Sequence, residues 1–83
     1  MDRLDFDPHA LDQMGVRQLS EDAVYHVIGD YDRRIDRDDG VTEYFGTWEA
    51  RSLLIVVRWV DEDEENGYVV TVIDTNTRHW RRR

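Results

Sequence analysis

The sequence predicts an α+β domain, with two N-terminal helices packed on one face of a four-stranded antiparallel sheet. Three observations predict it. Apolar residues recur at helical spacing as far as residue 28, first at Ala10, Leu11 and Met14, then at Ala23, Val24, Val27 and Ile28. After Gly29 the period becomes that of strands. Cap and turn residues separate the segments, and a run of helices followed by a run of strands is the α+β order.

Asp7 is a good N-cap and Pro8 a good first helical residue, so a helix begins there and reads "HALDQMGVR". Gly15 suits either a C-cap or the last turn. A tight turn near residues 17–19 leads to Ser20, a second N-cap, with Glu21 and Asp22 favourably placed against the helix dipole. Gly29 ends the second helix. "RRIDR" (33–37) reads as a short edge strand with Ile35 inward, and "DDG" (38–40) as a turn. "VTEYFGTWE" (41–49) reads as a strand with Gly46 a candidate bulge. "SLLIVVRWV" (52–60) is apolar on both faces and therefore central. "DEDEENG" is an acidic loop ending in the Asn66-Gly67 turn pair, and "YVVTVIDT" (68–75) is the next central strand.

The chain has 83 residues and no cysteine, which excludes disulfides, thiolate metal sites and a Cys nucleophile and leans towards a reducing, cytoplasmic setting. The longest apolar run, "LLIVV", is far short of the roughly 20 residues a membrane span needs, and "MDRLDFD" carries no secretory h-region. Formal net charge is −8, there is no Lys, and Asp outnumbers Glu by 13 to 6. Such usage suits a GC-rich or salt-loving source. The charge is uneven: residues 1–77 carry −12, whereas "RHWRRR" (78–83) carries +4. A basic, aromatic tail on an acidic body suits contact with nucleic acid or a membrane surface, or folding back on the body itself.

"HALDQMGVRQLSEDAV" resembles the opening of the family known as domain of unknown function 4258. His9-Ala10, Met14, Arg17, Ser20 and Val24 match that opening in place, and Leu19 stands for its Ile. Gln13 and Gln18 depart from it, replacing an Arg and a Gly. "YFG" (44–46), "LLIVV" and "VVTV" (69–72) fall where that family has strands. The family is similar in layout to the RelE and ParE toxins, which are two helices followed by an antiparallel sheet. The resemblance implies a toxin-like protein of a toxin–antitoxin pair, either cleaving RNA on the ribosome or acting on another target. It implies RNA or the ribosome and an antitoxin protein as partners.

RNA cleavage needs a base for the 2′-hydroxyl, a cation for the phosphorane charge and an acid for the leaving oxygen. Four residues are candidate catalytic groups: His9 near a helix start, Arg58 interrupting an apolar strand, and Arg78 and His79 just after the last strand. Each has a structural alternative. His9 also suits helix packing, Arg17 suits pairing with a helix C-terminus or Asp22, and Arg58 suits a solvated sheet face. Asp74 near the last strand's end opposes RNA cleavage. The three histidines have no metal-like spacing and no phosphate-binding Gly loop exists, so neither cofactor nor metal is expected. A second class of function is a non-catalytic acidic interaction module that mimics nucleic acid for a basic partner. Asp30, Asp32, Asp36, Asp38, Asp39 and residues 61–65 would then be the phosphate mimics. A homodimer through the uncovered sheet face is a third.

Overall fold

Residues 3–75 are described by the computed structural model. The elements are β1 (Arg3–Phe6), α1 (Pro8–Arg17), α2 (Glu21–Gly29), β2 (Arg33–Asp36), β3 (Val41–Trp48), β4 (Arg51–Trp59) and β5 (Asn66–Asp74). The sheet is five-stranded in the order β1-β5-β4-β3-β2. β2 to β5 form the expected antiparallel meander, with β4 central and β2 at an edge.

The expected four-stranded antiparallel sheet is corrected by β1, which pairs with β5 in parallel. Its signal is faint because only Leu4 and Phe6 are apolar, and a four-residue strand offers only that one alternation. Leu4 is buried in the helix-side core. Its N–H donates to the Tyr25 hydroxyl at 3.1 Å, so α2 caps the outer edge of β1.

The start of α1 is built as expected. The Asp7 carboxylate accepts the His9 N–H at 2.9 Å and Pro8 follows as the first helical residue. Tyr68 donates to the same carboxylate at 2.8 Å, tying β5 to the cap and holding Asp7 below the ordinary carboxylate range. Gly15 lies within the last turn. The helix ends at Gln18, which takes a left-handed φ of 58°. The N–H groups of Gln18 and Leu19 reach back to the carbonyls of Gly15 and Met14, and Leu19 is buried: a Schellman stop without its usual glycine. Ser20 holds the N-cap position of α2, but its side chain makes no capping hydrogen bond.

Both helices cover one face of the sheet. Ala10 and Met14 of α1, with Ala23, Val24, Val27 and Ile28 of α2, pack on Tyr44, Leu53, Ile55, Val57, Val69 and Val72. Leu11, expected on the buried face, is 46% exposed. Strand alternation assigns the two sides of β4. Leu53, Ile55 and Val57 meet the helices, while Leu54 and Val56 join Val41, Phe45, Val70 and Ile73 in a second cluster on the face without helices. Ile35 pairs with Glu43, beside Val56, and so faces that second side rather than inward to the helices.

Two turn expectations change. Gly46 is not a bulge: β3 and β4 pair without interruption, and Gly46 lets Val27 of α2 approach, since a Cβ there would lie 3.0 Å from its Cγ1. The register shift falls between Val56 and Val57, which pair with Thr71 and Val69 and leave Val70 as the extra residue. Asn66-Gly67 is not a turn but the start of β5. The two-residue β3–β4 hairpin is instead closed by Glu49 and Ala50, both at positive φ (49° and 67°), the pattern of a type I′ turn.

Gln18 and Ala50 therefore hold left-handed conformations that glycine adopts without strain. Gln18→Gly and Ala50→Gly should each stabilise the fold by about 0.5–1 kcal/mol, read by urea unfolding. Destabilisation by both changes would contradict the left-handed geometry.

Candidate binding cleft at the sheet corner

A concavity lies beyond the end of α2, between the β2–β3 hairpin and the β4–β5 loop. It has two compartments, of about 430 Å³ and 270 Å³, and Arg34, Trp59 and Glu64 line both. The larger is bounded by Asp36, Arg37, Thr42, Asp61 and Glu62, the smaller by Ile28, Tyr31, Tyr44 and Asp63.

The aromatic floor follows from strand alternation. Tyr44 on β3 and Trp59 on β4 lie on the helix side, past the point where Val27 and Ile28 fill it. Trp59 Nε1 donates to the Tyr44 hydroxyl at 3.1 Å, and the two rings meet edge to face with centroids 6.4 Å apart. Tyr31 adds a third ring 5.4 Å from Tyr44. Burial raises the Tyr44 phenol above its ordinary pKa, so it stays neutral at physiological pH. Trp59 lies directly over Gly67: a Cβ at residue 67 would come within 2.7 Å of the indole. Gly67 is there for close approach, not for a turn.

Arg34 crosses the cleft from β2. Its Nη1 and Nη2 donate to the two carboxylate oxygens of Glu64, the first at 2.9 Å, and its Nε donates to Asp36 at 2.9 Å. The guanidinium also lies 5.3 Å from the centroid of the Tyr44 ring. The Glu64 fork raises the affinity of Arg34 for its proton, while Arg34 holds Asp36 below the ordinary carboxylate range. Glu64 reaches this position because it takes a φ of 58°. Asp61 shapes the same loop by accepting the Glu65 N–H at 2.9 Å and the Asn66 side-chain amide at 3.0 Å, contacts that lower its pKa, the Asn66 amide foremost.

Several expected phosphate mimics are therefore structural. Asp36, Asp61 and Glu64 build the cleft, and Asp39 accepts the Val41 N–H in the β2–β3 turn. Asp30, Asp32, Asp38, Glu62 and Asp63 are exposed.

The expected catalytic residues do not form one constellation. His9 is exposed on α1, on the helix-covered side, where it borders a 130 Å³ hollow with Asp12, Gln13, Val16 and Arg17. Arg58 is exposed on the opposite side of the sheet, where its Nη1 donates to the Asp39 carbonyl at 3.3 Å. One active centre cannot use both. Arg78 and His79, with the basic tail, lie outside the described residues. Asp74 accepts from Arg51 at 3.2 Å across β4 and β5. Arg17 makes neither the helix-end nor the Asp22 contact, and its Nε is buried without a hydrogen-bond partner. Among the described residues, no group of three or more His, Asp or Glu is placed to hold a metal ion, and no helix is long and apolar enough to cross a membrane.

Arg34, Tyr44, Trp59 and Glu64 were not legible as a site, because they come from three strands and a loop spread over 31 residues of sequence. The signal the sequence carries is Gly67, a glycine at the head of an apolar strand, whose partner across the sheet is an aromatic, Trp59. Compared with known protein families, curated proteins and solved structures, the chain matches none of them.

Proposed function

We propose that the chain is a non-catalytic interaction module of toxin-like layout, whose acidic, aromatic-floored cleft receives an arginine-bearing segment of a basic partner protein. One observation carries this reading. The cleft already holds a guanidinium, that of Arg34, forked on Glu64 and lying against the Tyr44 ring. Space continues on both sides of it, bordered by Trp59 and by Asp36, Asp61, Glu62 and Asp63. A guanidinium is weakly hydrated, stacks on aromatic faces and forks onto carboxylates, so the chemistry that seats Arg34 suits an incoming arginine as well. The formal −8 of the chain steers a basic partner towards it.

The test is titration of the full chain with an arginine-rich octapeptide and its lysine counterpart, followed by calorimetry at low and high salt. The arginine peptide should bind more tightly, and salt should weaken it. Glu62→Gln with Asp63→Asn, both at exposed positions, should weaken binding several-fold without affecting folding. Trp59→Ala should weaken it tenfold or more. An absence of binding at low salt, or binding indifferent to all these changes, sinks the reading.

A second reading, an RNA-cleaving toxin of the RelE type, is favoured by the other face. Arg33 and Arg58 form no ion pair among the described residues, and Arg33 lies 5.6 Å from the Phe45 ring centroid. Their partners on β3, Phe45 and Val41, are roughly 13 Å apart along the strand, which suits a single RNA strand. Inducible expression separates the readings. Growth arrest with new cellular RNA ends, lost on Arg58→Ala or His9→Ala, would support the toxin. Arrest that survives both changes would remove these residues from catalysis.

A further inference from the structure

We infer that Arg34 is a built-in occupant of the cleft at the sheet corner, which an arginine of the partner must displace to bind. The inference rests on the reading of that cleft as an arginine site and adds how the site is controlled. Its first support is that the strongest seat for a guanidinium is already full. Both oxygens of the Glu64 carboxylate accept from the Nη groups of Arg34. Tyr44, over whose ring the guanidinium lies, is only 1% exposed. While Arg34 stays, an incoming guanidinium finds neither the fork nor the ring. It meets only carboxylates at the border of the cleft, among them the exposed Glu62 and Asp63. Arg34 borders both compartments, so its departure enlarges each of them.

The second support is that Arg34 is held in a way that lets it leave. It stands on β2, an edge strand of the sheet. Its side chain is 24% exposed and that of Glu64 36% exposed, so water reaches both groups and the pair is not locked in a dry interior. Asp36 lies two residues along the same strand, on the same side of the sheet, and its side chain is 66% exposed. It already accepts the Arg34 Nε at 2.9 Å, so a carboxylate stays beside Arg34 after Glu64 is released. Glu64 then forks onto the incoming guanidinium, and one bidentate pair replaces another of the same chemistry. The partner binds only in the fraction of time for which the seat is empty, and its apparent affinity falls by that fraction. A seat empty for about a tenth of the time makes removal of Arg34 tighten binding about tenfold.

The test is calorimetric titration of the full chain with the arginine-rich octapeptide at low salt, for the unaltered chain and for substitutions at two positions. Arg34→Gln empties the seat. Arg34→Lys removes the fork but keeps the charge, which separates displacement from a gain in net acidity. Arg33→Gln removes the same charge from the neighbouring residue, which lies against Phe45 on the other side of the sheet. Arg34→Gln should tighten binding about tenfold and Arg34→Lys several-fold. Arg33→Gln should change it by less than about twofold. Backbone spectra by nuclear magnetic resonance verify each fold, and Arg34→Lys carries the result if Arg34→Gln loosens the edge strand. Peptide bound by the unaltered chain and bound no more tightly by either change at residue 34 overturns the inference and leaves the reading of the cleft standing. Tightening by Arg33→Gln equal to that by Arg34→Gln also overturns it. Binding by the residue 34 variants alone supports it, with the seat closed in the unaltered chain. Binding by none of these chains overturns both the inference and the reading.

Discussion

Gly67→Ala is expected to destabilise the fold by about 2 kcal/mol, and Gly67→Val by about 3 kcal/mol, because both overpack a site with no room. The added Cβ would stand 2.7 and 2.8 Å from two ring atoms of Trp59 and 3.0 Å from Val57 Cγ1. Val57 is a fully buried residue of the central strand and cannot withdraw. Trp59 can move only by breaking its hydrogen bond to Tyr44 and by shifting in the cleft beside Arg34. For a domain of this size, the alanine change corresponds to a fall in Tm of about 10 °C. Urea unfolding gives the free energy, and tryptophan emission should shift as the indole loses its seat. Gly15→Ala is the control: nothing lies within 4 Å of a Cβ there and the backbone is helical, so it should stabilise by about 0.5–1 kcal/mol. Equal effects of the two changes would show that Trp59 does not sit on Gly67. The same variant bears on function, since a displaced indole should weaken binding of an arginine peptide as Trp59→Ala does.

Leu4→Asp is expected to cost about 3 kcal/mol or more, since it buries a charge with no cation to receive it. Leu4 is 6% exposed in the helix-side core. Its strand holds four residues and pairs on one side only, with β5. The charge would have to leave the core by pulling β1 off the sheet, which would also free the Tyr25 hydroxyl from the Leu4 N–H. Asp5 alternates to the opposite, exposed side, and Asp5→Asn should change stability by less than about 0.5 kcal/mol. If β1 did not dock in parallel on β5, the two substitutions would have similar small effects. Loss of amide protection at residues 67–69 in Leu4→Asp would locate the damage at the β1–β5 seam.

These two positions also mark how far the sequence could be read. The meander was legible because "SLLIVVRWV" is apolar at consecutive positions, as a strand covered on both sides must be. The helices were legible because Asp7-Pro8 and the 23, 24, 27, 28 stripe are local signals. β1 was not, because a short parallel edge strand gains its stability from a partner 63 residues away in sequence. Gly67 follows Asn66, a pair that signals a turn, yet it opens β5. The real tight turn was made by Glu49 and Ala50, which carry no turn signal and are held in the left-handed region by the ladder they close.

The candidate residues divide in the same way. His9 and Arg17 stood out in the sequence, and α1 does place them on one row beside a common hollow. Arg58 stood out equally but faces the other side of the sheet, since alternation along β4 separates it from everything the helices cover.

Local chemistry in the sequence by itself determined the two helices and where each begins, the central strand and the acidic balance of the surface. Each of these depends on residues within a few positions of one another or on a simple count. The tertiary structure alone decided the fifth strand, the seat of Trp59 on Gly67, and the fork of Arg34 on Glu64, 30 residues away. Those contacts exist only once β4 and β5 have set their register. A guanidinium finds its carboxylate through the geometry of the closed sheet, and no spacing along the chain records it.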